Sequence, residues 1–359
     1  MEAWLVRCRS LKSQACRIDD PILGLKEPFR GDSMRALVCR ELSDDFSGVA
    51  VIDLPVPEPA PGEVRIRIRA ASLNFPDLLL CQGKYQLKLE PPFTPGMDTA
   101  GEIDAIGEGV KGFAVGEAVV AGMRHGGLSQ FVCVCAKELR KKPENMSFSE
   151  AASYQVAYLT AYVALVRRGN LQAGETLLVH GASGGVGMAA VDIGKRLGAR
   201  VIATSGSDEK LARIEAQGAD YVMSTEGGFR EEVKALTDGR GADVIYDPVG
   251  GDVFDESIRC INFDGRLLVI GFTSGRIASV PSNMPLIKGF SVVGVRAGEY
   301  GRRFPEKGEE NLNVIWQWAE QAKTRPYVHG ELALADALVG FRMLENREVV
   351  GKLVIRPDL

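Results

Sequence analysis

Histidine is nearly missing from this chain: His125, His180 and His329 are the only three in 359 residues. So few imidazoles, far apart in sequence, give no histidine-built metal centre. Cysteine is present but unpatterned. There are seven, an odd number with no pairing rhythm, which excludes a disulfide scaffold and points to a reducing compartment. Cys133 and Cys135 lie two apart in an alternating stretch, on one side of a strand and closer than zinc-knuckle spacing. Positive charge is not in excess: 43 Lys and Arg stand against 47 Asp and Glu, a formal net charge of -4, so no basic face for nucleic acid is expected. Nor is there an apolar run long enough to cross a membrane. Residues 1–33 carry Arg7, Arg9, Lys12 and Arg17 against Glu2 alone before residue 18. Two readings stand for this leader. It is an N-terminal extension of a cytoplasmic protein, disordered or packed on the surface, or a targeting segment of a mitochondrial one. Asp19, Asp20 and the lack of a clear cleavage signal favour the extension.

What the chain does have is glycine in a telling place. Leu177-Leu-Val-His-Gly-Ala-Ser-Gly-Gly-Val-Gly187 lies between an apolar strand and a helical stretch, Met188–Leu197, with a second apolar strand at Arg200–Thr204. Strand, glycine turn, helix and strand together form the setting for a dinucleotide pyrophosphate. Small residues let backbone approach phosphate, and the helix start offers free N–H groups.

The rest of the chain divides around this motif. From Met34 to about 150 the signals are strand and turn. Val64, Ile66 and Ile68 alternate with arginines on a half-buried strand, and glycines punctuate short strands from Gly96 to Gly127, which predicts a compact, barrel-like β domain. Residues 150–168 read as helical. Beyond the motif, strands and helices alternate as in a doubly wound parallel sheet. The chain ends in helices at Leu312–Ala322 and Leu334–Glu345 and a closing strand at Gly351–Ile355, expected to return to the first domain. Trp316 and Trp318 read as helix packing. The expected boundaries are 1–33 for the extension, 34–153 for the catalytic domain, 154–296 for the nucleotide domain and 297–359 for the return.

The strand after the motif ends Thr204-Ser-Gly-Ser-Asp-Glu-Lys210, with Ser205 or Gly206 where an acidic ribose ligand would stand. Ser205, Ser207 and Lys210 suit a 2′-phosphate, so NADPH is the expected cofactor.

These residues resemble the medium-chain dehydrogenase/reductase superfamily, and within it the zinc-free quinone oxidoreductases. The resemblance spans 34–359. It rests on Leu73-Asn-Phe-Pro-Asp77, Gln82-Gly-Lys-Tyr85, Pro95-Gly-Met-Asp-Thr-Ala-Gly101, the glycine turn, Gly206–Lys210 and Gly351-Lys352. Gly250–Phe254 and Ile277–Asn283 look closest to its quinone oxidoreductase-like branch. The resemblance implies an α/β fold, a Rossmann sheet inserted in a GroES-like, partly open β-barrel domain. It implies a reductase of quinones or α,β-unsaturated carbonyl compounds, a small-molecule substrate and a homodimer joined through the edges of its nucleotide sheets. Asn74 and Met97 stand where zinc-dependent relatives carry ligands, and neither suits zinc, so no metal is expected. By the same resemblance Asn74 positions cofactor or substrate, and Tyr85 is the proton donor or oxyanion partner. Tyr158 and Thr160 flank the cofactor; Ser183, Gly184, Gly185, Val186 and Gly187 meet the pyrophosphate. Val249, Gly250, Gly271, Phe272 and Thr273 pass the nicotinamide ribose, and Lys352 contacts the cofactor from the closing segment. Two alternatives remain open: an enoyl-thioester reductase, with Arg302, Arg303 and Lys307 as a basic rim, and a catalytically weak NADPH-binding protein.

Overall fold

The structure is a computed structural model that describes residues 32–359; the expected extension lies, apart from its last two residues, outside them. The chain opens with a hairpin, β1 (Ser33–Cys39) and β2 (Val49–Pro55), paired antiparallel over their full lengths. Next come β3 (Glu63–Ser72), α1 (Phe75–Cys81), β4 (Asp98–Ile106), β5 (Ala118–Gly122), β6 (Phe131–Cys135) and β7 (Leu139–Lys141). The alternation read in the sequence is physical: Val64, Ile66 and Ile68 of β3 are buried in the core of this half. The arginine face does more than meet solvent. Arg65 pairs with Asp104 at 2.7 Å and Arg69 with Glu102 at 2.7 Å, cross-strand partners on β4.

Two helices, α2 (Phe148–Ala152) and α3 (Gln155–Tyr162), lead into the parallel part, α3 continuing through a π-helical stretch at Val163–Arg168. There follow β8 (Thr176–Val179), α4 (Gly185–Arg196), β9 (Arg200–Ser205), α5 (Asp208–Ala216), β10 (Tyr221–Ser224), α6 (Arg230–Leu236) and β11 (Ala242–Asp247). This half continues through α7 (Gly251–Ser257), β12 (Ile261–Val269), α8 (Asn283–Lys288), β13 (Ser291–Gly294), α9 (Ala297–Arg303) and α10 (Pro305–Glu320). All its strands pair parallel in the order β10-β9-β8-β11-β12-β13. The order reverses between β9–β8 and β11, which opens a crevice at the carboxyl end of β8, where the glycine turn lies. Pro305 starts α10 at a position where a missing N–H costs nothing. Ile315 and Trp316 of that helix pack with Tyr154 and Tyr158, on the same core as β8 and β9.

The closing segment contributes β14 (Val328–Ala333), α11 (Ala337–Glu345) and β15 (Lys352–Arg356). β15 enters the first sheet between β14 and β3, giving the order β14-β15-β3-β4-β5-β7 with β6 on β3 and no closed ring. The return of the closing strand was legible. The strand β14 and the short helix α1 were not.

Candidate active site

The glycine turn is shaped by contacts that exclude a side chain. A Cβ on Gly187 would sit 2.3 Å from the Gly181 carbonyl oxygen, and one on Gly185 would sit 2.5 Å from Cδ of Lys352. Gly184 caps α4 in extended geometry, and no acidic residue occupies the first turn. By helix geometry the first N–H groups of α4 have no internal partner. A cradle that a methyl group would fill, at an uncharged helix start, fits a pyrophosphate. The turn is tied to the closing segment: Gly351 N–H donates to the Ser183 carbonyl at 2.7 Å, and Gly184 and Gly351 form a parallel bridge. Beneath it lies fully buried His180. Ser257 Oγ donates to the Val253 carbonyl at 2.6 Å, so it accepts from His180 Nε2–H at 2.8 Å, leaving Nδ1 to accept from Thr204 Oγ at 2.8 Å. Burial pushes this imidazole down to about 3, so it is neutral.

At the end of β9, Ser205 is buried and Ser207 caps α5, with Lys210 half-buried one turn on. Lys210 Nζ donates to the Arg347 carbonyl, and Arg347 itself donates to the Thr273 carbonyl at 3.1 Å. Beyond burial, the Arg347 charge, from the loop after α11, is near enough to lower Lys210, while its guanidinium reaches across to Thr273. The sequence reading missed it, because no local pattern links residues 137 positions apart. The opposite lip joins two loops. Asp247 Oδ1 accepts from the N–H groups of Val249 and Gly250 at 2.8 and 2.9 Å, and Thr273 N–H donates to Pro248 at 3.1 Å. Gly250 has φ +70°, and a Cβ there would come within 3.2 Å of Phe272. Gly271 lies against Pro248, and Phe272 is exposed.

Across the crevice, Asn74 is the N-cap of α1. It forms a capping box in which Asp77 Oδ2 accepts from Asn74 N–H at 2.8 Å. The other Asp77 oxygen accepts from Gly96 N–H at 2.9 Å. Lys352, buried at the start of β15, runs past Gly185 and donates to Asn74 Oδ1 at 2.5 Å. The Asn74 amide donates to the Ser72 carbonyl at 3.3 Å and to Asp98 Oδ2 at 3.4 Å. Burial pushes Asp77 up to about 7, against the pull of its backbone N–H donors and Lys352, and Asp98 up to about 6, opposed mainly by Lys352. Burial lowers Lys352, which both carboxylates partly restore. Asp77 and Asp98 were not among the site residues expected from sequence, although both sit in motifs that carried the resemblance.

Tyr85 is half-buried in the loop after α1; burial raises its phenol, while Arg296 and Arg302 oppose that shift. Tyr158 lies at the inner wall, lining a small cavity with Gly185, Tyr327 and Lys352. Its hydroxyl donates to Asp192 Oδ2 at 2.7 Å and its ring stacks on Tyr154 at 4.1 Å, so it serves the packing of α3 on α4. Thr160 is half-buried, two residues further along α3.

Residues 60–147 match the alcohol dehydrogenase GroES-like domain, and 185–313 match the zinc-binding dehydrogenase family. A quinone oxidoreductase-like protein 2 homolog from Nematostella vectensis is 35% identical over 92% of this chain and 91% of its own. The chain belongs to the medium-chain dehydrogenase/reductases, in the quinone oxidoreductase-like branch. The Thermus thermophilus quinone oxidoreductase, solved also with NADPH, is 32% identical with a TM-score of 0.77, covering 90% of this chain and 100% of its own. The CurK enoyl reductase is 28% identical with a TM-score of 0.82, covering 90% and 99%. This medium-chain oxidoreductase therefore carries a Rossmann-type cofactor domain and a GroES-like domain, as read from the sequence. At its Met97 position a buried thioether stands beside a backbone pair, Met123 N–H on the Met97 carbonyl at 2.8 Å. Among the described residues no three His, Cys, Asp or Glu side chains converge as a metal-binding group.

Proposed function

We propose that this chain is an NADPH-dependent reductase that transfers hydride to a quinone or an α,β-unsaturated carbonyl compound without a metal. The observation that carries the reading is the Asn74–Met97 position. There Met97, one residue before Asp98, is a buried thioether, and the Asn74 amide is already engaged by Lys352, Ser72 and Asp98, a donor set suited to no zinc. A reduced nicotinamide, when bound, supplies a hydride equivalent. The chain's own work is to hold and to protonate. Ser183, Gly184, Gly185, Val186 and Gly187 hold the pyrophosphate, with Lys352 beneath them. Ser205, Ser207 and Lys210, joined by Arg347, hold a 2′-phosphate with charge and hydroxyl donors. Val249, Gly250, Gly271, Phe272 and Thr273 line the ribose, with Tyr158 and Thr160 behind. Burial raises the Tyr85 phenol, so it is protonated at neutral pH, and in this reading it gives that proton to the oxygen on which negative charge develops.

Arg296 and Arg302 favour a second reading. Two guanidiniums acting on Tyr85 suit an acceptor attached to an anionic group, such as an enoyl thioester of a phosphate-bearing carrier. A homodimer is also proposed. β13 is a sheet edge with Val292 exposed, and Phe263, Leu286 and Ile287 nearby in sequence are exposed apolar side chains. NADPH consumption with ortho-quinones, para-quinones, enones and crotonyl thioesters separates the readings. Turnover of quinones or enones supports the first, of thioesters alone the second, and NADPH binding without turnover overturns both.

A further inference from the structure

The register of three strands gathers one set of groups. Ser72 of β3 lies opposite Asp98 of β4 and opposite Val354 of β15, two residues beyond Lys352. Asn74 follows Ser72 by two residues, so its amide falls between the lysine and the carboxylate. A lysine ammonium has only donors, so the Asn74 atom 2.5 Å from Lys352 Nζ is oxygen, and the amide orientation is fixed by chemistry. The amide nitrogen then gives its two protons to the Ser72 carbonyl and Asp98 Oδ2. Asp98 Oδ2 also accepts Val156 N–H at 3.4 Å, while its buried Oδ1 has no partner among the described residues. Asn74 therefore keeps no free N–H, and Oδ1 is the only polar side-chain atom it has left to offer.

We propose that Lys352 and Asp98 are positioning residues that lock the Asn74 amide, so that Asn74 serves the site as a hydrogen-bond acceptor and never as a donor to the acceptor oxygen. A cation on the carbonyl and a carboxylate on the N–H polarise the amide in the same sense, and each holds the other's geometry. The proposal rests on the reading of Asn74 as a site residue, and its test has an arm that does not. In protein labelled with 15N-asparagine, the Asn74 side-chain amide, assigned through Asn74→Asp, is expected to show protons that exchange slowly with solvent. Lys352→Met or Asp98→Asn should move that resonance and speed exchange at least tenfold. Should Lys352→Met not fold, Lys352→Arg, which keeps the charge but changes its shape, is expected to give a smaller shift of the same resonance. On an acceptor that turns over, Asp98→Asn, which leaves the cofactor-contacting Lys352 in place, should lower kcat at least tenfold while changing the NADPH Kd less than threefold. The Asp98→Asn/Asn74→Ala double variant should be no slower than Asn74→Ala. A resonance unmoved by either substitution, multiplicative losses in the double variant, or a loss confined to NADPH affinity overturns the proposal. An absence of any turnover, with the resonance shifts intact, counts against the reductase reading and leaves the lock standing.

Discussion

Two buried polar networks flank the crevice, and they are built on opposite terms. Under the glycine turn, His180 is neutral and has both ring nitrogens matched, by Thr204 and Ser257. Across from it, Asp77, Asp98 and Lys352 bring three ionisable groups into a dry interior, with one Asp98 oxygen unmatched among the described residues. A neutral, satisfied network pins elements together at small cost. A charged one is expensive and is retained where orientation or charge has a task. The pH responses of the two are opposed. His180 is lowered, so its contribution is present above about 6.5 and lost as pH falls toward 3. Asp98 is raised, so its contribution is present below about 3.8 and lost as pH rises through about 6. Asp77 follows the same sign up to about 7.

The severest way to break this pairing is at the turn between the networks. Gly187→Ala puts a methyl against backbone, and should lower stability by about 3 kcal/mol and remove measurable NADPH binding; denaturation and fluorescence titration check both. Tyr85→Phe should lower kcat about 100-fold with little change in NADPH Kd, and unchanged kcat would remove its proton-donor role. His180→Leu strands the Thr204 hydroxyl and should cost about 2 kcal/mol at pH 7. It should also flatten the acid limb of a stability–pH curve, which chemical denaturation at several pH values reads. Lys210→Ala should weaken NADPH about tenfold and NADH hardly at all; equal losses would argue against phosphate recognition. The smallest effect is the most discriminating. Asp98→Asn should steepen the loss of stability below pH 6 by at most about 1.4 kcal/mol per pH unit, the reverse of the change at His180.

The two networks also differed in how far sequence reveals them. The glycine turn and its flanking strands are local: period, small residues and helix start lie within 20 residues, and each constrains the next. His180 sits inside that window, although nothing there announces its partners. The Asn74 network is assembled by sheet register. Asn74 and Lys352 are 278 residues apart, so spacing carries no trace of their contact. The helix α1 escaped because seven residues with a proline at its start show no helical period. Strand β14 escaped because Val328–Ala333 lacks a clean alternation. Resemblance named Asn74 and Lys352 singly; only the fold showed that one holds the other.

The bridge from Gly184 to Gly351 has a consequence for how the molecule comes into being. β15 and the glycine before it complete both the inner lip of the glycine turn and the first sheet, where β15 lies between β14 and β3. During synthesis the turn precedes that strand by more than 160 residues, an interval of roughly 10–30 s at ribosomal speed. Through that interval β3, already paired with β4 and β6, waits with its Ala71–Ser72 end unfilled, and the crevice lacks one wall. The nascent chain can thus build its parallel sheet early, but it acquires a finished cofactor site and a finished first sheet in the same late event.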